Sequence, residues 1–484
     1  TIEGLANLTA VQGNLSIISN LALTTINGLS SLSFVGGEIT VMHNNALLHL
    51  DGFSSLAEAK SIVVSNNAFL THIDGLSKLE TIQGDLDLID NPSLNSIDGL
   101  SSLHTVGGEL EIVGSDAIVH IDALANLKSI DGVGLWDNDG LLNLDGLSGL
   151  KSLLGKMEVY DNDALLNIDG LANLTSVGWM DIIGNDVLTN IDGLSKLKTV
   201  AYNVELELGV LGIVDNDALV NIDGLAQLQS VGGLLKIQGN AMLSNLDGLS
   251  TLSSVEGSVQ IMENPSLAHI DGLAKIESMG NLDIINNPKL SNIDGLSGLR
   301  SAGDLKIIQN DGLLDLQGLS EIDSISSLNI ESNSSLTGLD GLSKLKSLAG
   351  DLVVKDNGLL TNVDGLSALT LLTGTLSLHN NDQLTQLGGL SNLPAIEGNL
   401  EITDNDALIH LDGLTGIKSV GQDLMINAND ALVGINGLSN LESLGWTLQI
   451  MGNQSLCQDH VEAIIADLLI WGEKDIRDNL GDCP

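Results

Sequence analysis

The sequence predicts a mainly β chain wound as a single right-handed parallel β-solenoid of about 19 coils, finished by a C-terminal helical cap. Three observations lead there. A tag reading I-D-G-L, or a close variant, opens at Ile2, Ile26, Leu50 and Ile73 and recurs to Ile435, 19 times in all. Successive tags stand 23 or 24 residues apart, apart from one spacing of 31. Each copy follows I-D-G-L-x-x-L-x-x-V-x-G-x-L-x-I-x-x-N-x-x-L-x-x, with apolar residues on every arc. That arrangement suits one coil of a solenoid and not the single apolar stripe of a surface helix.

Within a coil, the L-x-I step has a period of two, so its apolar side chains face inward and the middle residue faces out, as in a strand. Stacked coils then make a parallel sheet. The two L-x-x-L arcs are too short and too often broken by Gly for long helices, and short strands or extended turns are expected there. All six 23-residue copies lose their residue in the corner between the V/I position and the strand, as Ile130-Asp131-Gly132-Val133 shows beside Val11-Gln12-Gly13-Asn14-Leu15. The extra residues of the long copy fall in the same corner, near residues 200–211, where the alternation over 204–208 suggests a small protruding strand. Insertions collect where backbone is exposed, which makes this corner an outer edge.

An Asn follows the strand by three residues in nearly every copy, from Asn20, Asn44 and Asn67 to Asn453, with Ser115 as the one break. A carboxamide that donates and accepts at once can satisfy the backbone groups that an inward turn leaves unpaired, coil after coil. The column therefore reads as a buried structural ladder.

The pattern L-x-x-L-x-x-V-x-G-x-L-x-I-x-x-N-x-x-L resembles the leucine-rich-repeat superfamily. Its I-x-G-x-L-x-I element is closer still to the receptor L domains and related bacterial and fungal surface proteins. The resemblance covers residues 1–456 and implies a solenoid that presents a surface for binding. Residues 457–484 differ. Cys457 and Cys483 bracket Val461, Ile464, Ile465, Leu468 and Leu469, spaced as one face of a helix. A helix clipped by a Cys457–Cys483 bridge would cover the apolar end of the last coil. Because the chain's two cysteines both fall there, an oxidising, extracellular or cell-surface location is expected. Thr1 begins inside a coil, so that end is expected to be covered by further sequence or by a neighbour.

Composition bears on function. The chain holds 63 Asp and Glu against 18 Lys and Arg, a formal charge of −45, which disfavours nucleic acid and anionic membrane surfaces as partners. No apolar run is long enough to span a bilayer, so no direct membrane insertion is expected. Nucleophilic triads, P-loops and dinucleotide fingerprints are absent, and the two arginines, Arg300 and Arg477, fall in no motif. The chain therefore reads as a non-enzyme. A β-helix polysaccharide lyase would need a local basic and acidic constellation that the sequence does not show. Ice binding would need a uniform small-residue grid, whereas the mid-strand column (Ser16, Thr40, Val63, Asp87, Glu111, Gly134, Glu158, Asp181) is charged.

Three polar columns invite metal readings. The tag Asp, as in Asp51 and Asp74, reads either as an Asx-turn acceptor before Gly or as a carboxylate row ~5 Å apart that recruits calcium. Asn27 and Asn436 in the same column favour the turn. The D-N-D runs at Asp137/Asp139, Asp161/Asp163 and Asp215/Asp217 read as a solvated acidic edge with calcium as the alternative, and no other cofactor is expected. His49, His72, His120, His269 and His410 share a column with Asn143, Asn167 and others, which marks a polar turn, and too few are adjacent for zinc.

The residue just after L-x-I carries the sharpest functional signal. It reads Ile18, Met42, Ser65, Ile89, Val113, Trp136, Tyr160, Ile183, Val214, Gln238, Met262, Ile285, Ile308, and then turns polar through Glu331, Lys355, His379, Thr403 and Asn427, with Met451 the one apolar residue among the last six. If alternation holds, this apolar stripe faces out, and a solvated column has no reason to stay apolar so long. It would serve adhesion, matrix or filament assembly, or recognition, by docking a protein partner, another copy of this chain or a flat ligand. If the chain bends there, the same side chains tuck against the neighbouring turn.

Overall fold

The computed structural model describes residues 2–201 and 209–481. The strand expected over 204–208 lies outside them, as does Cys483. Two compact units are present, Thr1–Leu243 with Asp247–Leu252, and Ser244–Leu246 with Ser253–Pro484.

In the first unit the L-x-I segments form a parallel ladder running from Leu15–Ile18 through Glu38–Met42 to Leu235–Gln238. The register is set by equivalent residues, Ile17 against Val41 and Val41 against Val64. The second unit repeats this from Val259–Met262 to Lys474–Arg477, with Ile261 against Ile284 and Ile284 against Ile307. Burial alternates along the strands as a period of two requires, with Ile39, Val41, Ile62 and Val64 sealed in the core. A second, narrower column of two-residue strands forms at the V/I position, as where Thr81–Ile82 pairs Thr105–Val106.

The tag arc differs from the extended turn the sequence suggested. Each tag opens a short 3-10 turn, Asp51–Phe53 and Asp169–Leu171 among them. The tag Gly is required by packing: a Cβ at Gly170 would overlap the Leu144 carbonyl of the coil below. Where the copy carries Ala123 instead, the turn lengthens to Asp122–Asn126. The tag Asp does not act as the Asx acceptor. That role belongs to the residue two positions earlier, since the Asn143 and Asn167 side chains accept the backbone N–H of Asp145 and Asp169 at 3.1 Å. At His49, His72 and His269 the imidazole Nδ1 instead faces the tag carboxylate, 3.0 Å away for His49 and Asp51.

The asparagine column is a buried ladder. Asn162 donates from Nδ2 to the Leu135 and Tyr160 carbonyls at 3.0 and 2.9 Å, and its Oδ1 accepts the backbone N–H of Asn138 at 3.3 Å. Ser115 stays buried in the gap, but its hydroxyl bonds the Val113 carbonyl of its own coil. The residue before each rung holds a left-handed backbone, with φ between 52° and 58° at Asp90, Asp137, Asp161, Glu263, Ala428 and the other non-glycine positions, and between 60° and 70° at Gly114, Gly184, Gly239 and Gly452. Asp, Asn and Gly tolerate that conformation best, which accounts for much of the acidic edge.

The C-terminal segment also departs from expectation. Its helix covers Gln458–Ile464 alone, burying Val461 with Ile465 at the C-cap, while Leu469 is exposed. The chain then re-enters the repeat: Leu469–Ile470 pairs Ser443–Leu444, Lys474–Arg477 pairs Leu448–Met451, and Asn479 supplies a further rung to the Asn453 backbone N–H at 3.1 Å.

Replacing a rung should cost far more inside the stack than at its exposed first position. Asn162→Ala leaves two carbonyls and one N–H without partners and is expected to lower stability by about 3 kcal/mol. Asn20→Ala should cost less than about 1 kcal/mol. The shift in urea midpoint checks both.

Candidate functional site

The outward strand face of the first unit concentrates the unusual chemistry. The predicted stripe falls into strict register there, Ile18 beside Met42, Ile89 beside Val113, Trp136 beside Tyr160, and Ile183 beside Val214. In the second unit Met262, Ile285 and Ile308 line up likewise before Glu331. Ile18 is 46% exposed and Val214 only 6%. The other apolar members are half-buried, turned outward while leaning on their neighbours.

The strand Gly132–Trp136 lacks side chains at its two outward positions before Trp136. A Cβ on Gly134 would stand 3.2 Å from the Trp136 indole, so the ring lies back across its own strand. A Cβ on Gly132 would come 3.1 Å from Lys156 Cγ. The two glycines thus open a lane through which Lys156 crosses the intervening strand. Its Nζ lies 3.1 Å from Glu109, 3.2 Å from Glu111, 3.2 Å from Glu158 and 5.0 Å from the Trp136 ring centroid. Burial works against the charge of Lys156, but the Glu109 hydrogen bond and the surrounding carboxylates outweigh it and hold the ammonium above its ordinary pKa. Trp136 and Tyr160 stack with ring centroids 5.8 Å apart, and among the described residues the Trp136 indole N–H finds no acceptor.

Next to this pair, Asp181 is buried. The Trp179 indole N–H donates to it at 2.7 Å and the Tyr160 hydroxyl lies 3.2 Å away. Burial raises the Asp181 carboxyl above the usual range, and those two hydrogen bonds oppose the rise. Tyr160 is pushed up by burial and then by the charges of Asp181 and Glu158. On the other flank Asp87 stands directly opposite Glu111. Its carboxyl is pushed up to about 6 by burial first, then by Glu111, Asp85, Glu38 and Glu109.

The D-N-D carboxylates sit on the turn edge, with Asp137, Asp139, Asp161, Asp163, Asp215 and Asp217 all exposed around buried Asn rungs. Among the described residues no three of these six carboxylates each bring a ligand atom within 4.8 Å of the others. Asp139 and Asp161 are raised by burial and then by like-charged neighbours, Asp163 foremost for Asp139 and Asp137 for Asp161. Sequence reasoning put Gly134 and Asp181 in the outward mid-strand column without giving them a role in this cluster, and it missed Gly132, Lys156 and Trp179. The one legible signal was the loss of outward side chains from a single strand.

In-register parallel strands, one 3-10 turn per coil and a buried Asn rung settle the architecture. Each unit is a parallel β-solenoid of leucine-rich coils. No protein-family model matches the chain, and no curated protein matches it in sequence. Among solved structures it is similar to a leucine-rich-repeat protein of Leptospira interrogans, at 16% identity and TM-score 0.31, covering 82% of this chain and 91% of that one. It is also similar to an internalin of Listeria monocytogenes, at 16% identity and TM-score 0.20, covering 100% and 89%. A third is TLR13 in its complex with single-stranded RNA, at 16% identity and TM-score 0.27, covering 94% and 87%. Among the described residues no helix is long and apolar enough to cross a membrane.

Asp87 gives a pH test. A carboxyl whose pKa is raised on folding favours the folded state below its ordinary pKa, and that contribution is lost as pH rises through about 6. At pH 7 the ionised group is therefore a net cost. Asp87→Asn should stabilise the chain at pH 7 by about 1 kcal/mol after allowance for solvent screening, with the gain vanishing near pH 4. Melting curves across that range check it.

Proposed function

We propose that this chain is a secreted or cell-surface recognition protein without enzymatic activity, serving adhesion or matrix assembly by docking a protein partner or a second copy on its outward strand face. The observation that carries this reading is the in-register column of half-exposed apolar and aromatic side chains, Ile89, Val113, Trp136, Tyr160 and Ile183 among them. Large rigid side chains that keep part of their surface open suit an interface, where Trp and Tyr contribute most of the binding energy. The solenoid fold supports the reading, because each unit presents an ordered row of outward strand positions. Pairing of Cys457 with Cys483 belongs to the same proposal and fits an oxidising location. Thiol titration of the denatured, unreduced chain would then find no free sulfhydryl.

Ile89→Ser and Ile183→Ser test the face. Light scattering and electron microscopy at low and high concentration report self-association, and pull-down against surface proteins reports a foreign partner. Both variants should weaken association about tenfold while leaving the melting temperature within a few degrees. Loss of folding would instead show that the column is core, and unchanged association would remove it as the contact surface.

A further inference from the structure

We propose that the acidic flank of the first unit's strand face, centred on Asp87, docks a partner-protein segment rich in arginine and lysine. This rests on the recognition reading above and adds the chemistry of the partner. Asp87 and Glu111 occupy directly opposed positions on neighbouring strands. Like charges placed so are destabilising in a sheet, and a cation held between them converts that repulsion into attraction. Asp85 and Glu38 add charge at the same flank, and among the described residues no lysine, arginine or histidine forms an ion pair with Asp85, Asp87 or Glu38.

A few ångströms along the same face, the chain shows what such a surface does with a cation. Lys156 lays its stem along the lane over Gly132, presents its ammonium to three glutamates and lies over the Trp136 ring. That ammonium is shared by Glu109, Glu111 and Glu158, but among the described residues the Asp87 side receives no equivalent. A guanidinium fits this gap, since its planar fork can bond two carboxylates at once while its stem packs on apolar neighbours. Ile89 and Val113, half-buried and two residues along the strand from Asp87 and Glu111, supply that apolar contact. Charge complementarity also decides between occupants. A second copy of a chain carrying −45 would bring its own negative field to an acidic face and be repelled, whereas a basic segment is drawn in.

The test uses the full chain and a fluorescein-labelled deca-arginine peptide, with anisotropy read at physiological salt. Asp87→Lys places an internal cation opposite Glu111 and should weaken peptide binding about tenfold while raising the melting temperature. Asp169→Lys makes the same charge change on an exposed tag turn and should alter binding less than about twofold. Equal loss in both variants would mean that net charge alone attracts the peptide, and the proposal falls. Absence of binding by the unsubstituted chain would overturn it as well. Ile183→Ser run in parallel separates the two readings. If it abolishes partner association while deca-arginine never binds, recognition through the apolar column stands and the basic-partner proposal fails.

Discussion

A buried carboxamide at nearly every coil is the constraint from which the remaining geometry follows. The turn that closes the strand brings backbone N–H and C=O groups into the interior, where each unpaired group costs about 1–3 kcal/mol. One Asn answers both needs: Nδ2 reaches a carbonyl of the coil below and one of its own strand, and Oδ1 receives the preceding rung. To aim that side chain inward the residue before it must turn left-handed, as Asp356, Asp404 and their equivalents do. The rung fixes the strand's end, and the strand's end fixes the register of every outward column.

Register has a functional consequence. Inward positions hold Leu, Ile and Val with almost no variation, while outward positions are free to differ from coil to coil. The chain uses that freedom unevenly. Gly132 and Gly134 clear a lane, Lys156 fills it, and Trp136 stacks on Tyr160, so a self-contained cluster of charge and aromatic surface stands beside an uncompensated one at Asp87. Farther along the second unit, where the same column runs Glu331, Lys355, His379, the charges pair locally, Lys355 with Glu331 and Asp356.

Much of this was legible in the sequence because a fixed period turns one-dimensional spacing into rows. The strand alternation and the ladder from Asn44 onward both followed from spacing. The tag turn was misjudged because a three-residue 3-10 turn and an extended bend leave the same short apolar spacing, and only backbone bonds such as Leu171 N–H to the Ile168 carbonyl, at 3.0 Å, distinguish them. The left-handed column was hidden among residues that look merely polar, since Asp, Asn, Ser, Gly, Glu and even Ala428 occupy it. Lys156 could not be placed because its partners Glu109 and Glu111 lie two strands away. The final coil escaped notice because Lys474-Asp475-Ile476-Arg477 carries a charge where a core Leu stands elsewhere, and Asn479 follows after a helix.

The buried ladder is tested most directly by side-chain amide exchange. In a sample labelled with nitrogen-15 at asparagine, the carboxamide protons of the interior rungs should exchange at least about a hundredfold more slowly than those of exposed Asn20. Exchange of all asparagine side chains at one fast rate would contradict the account.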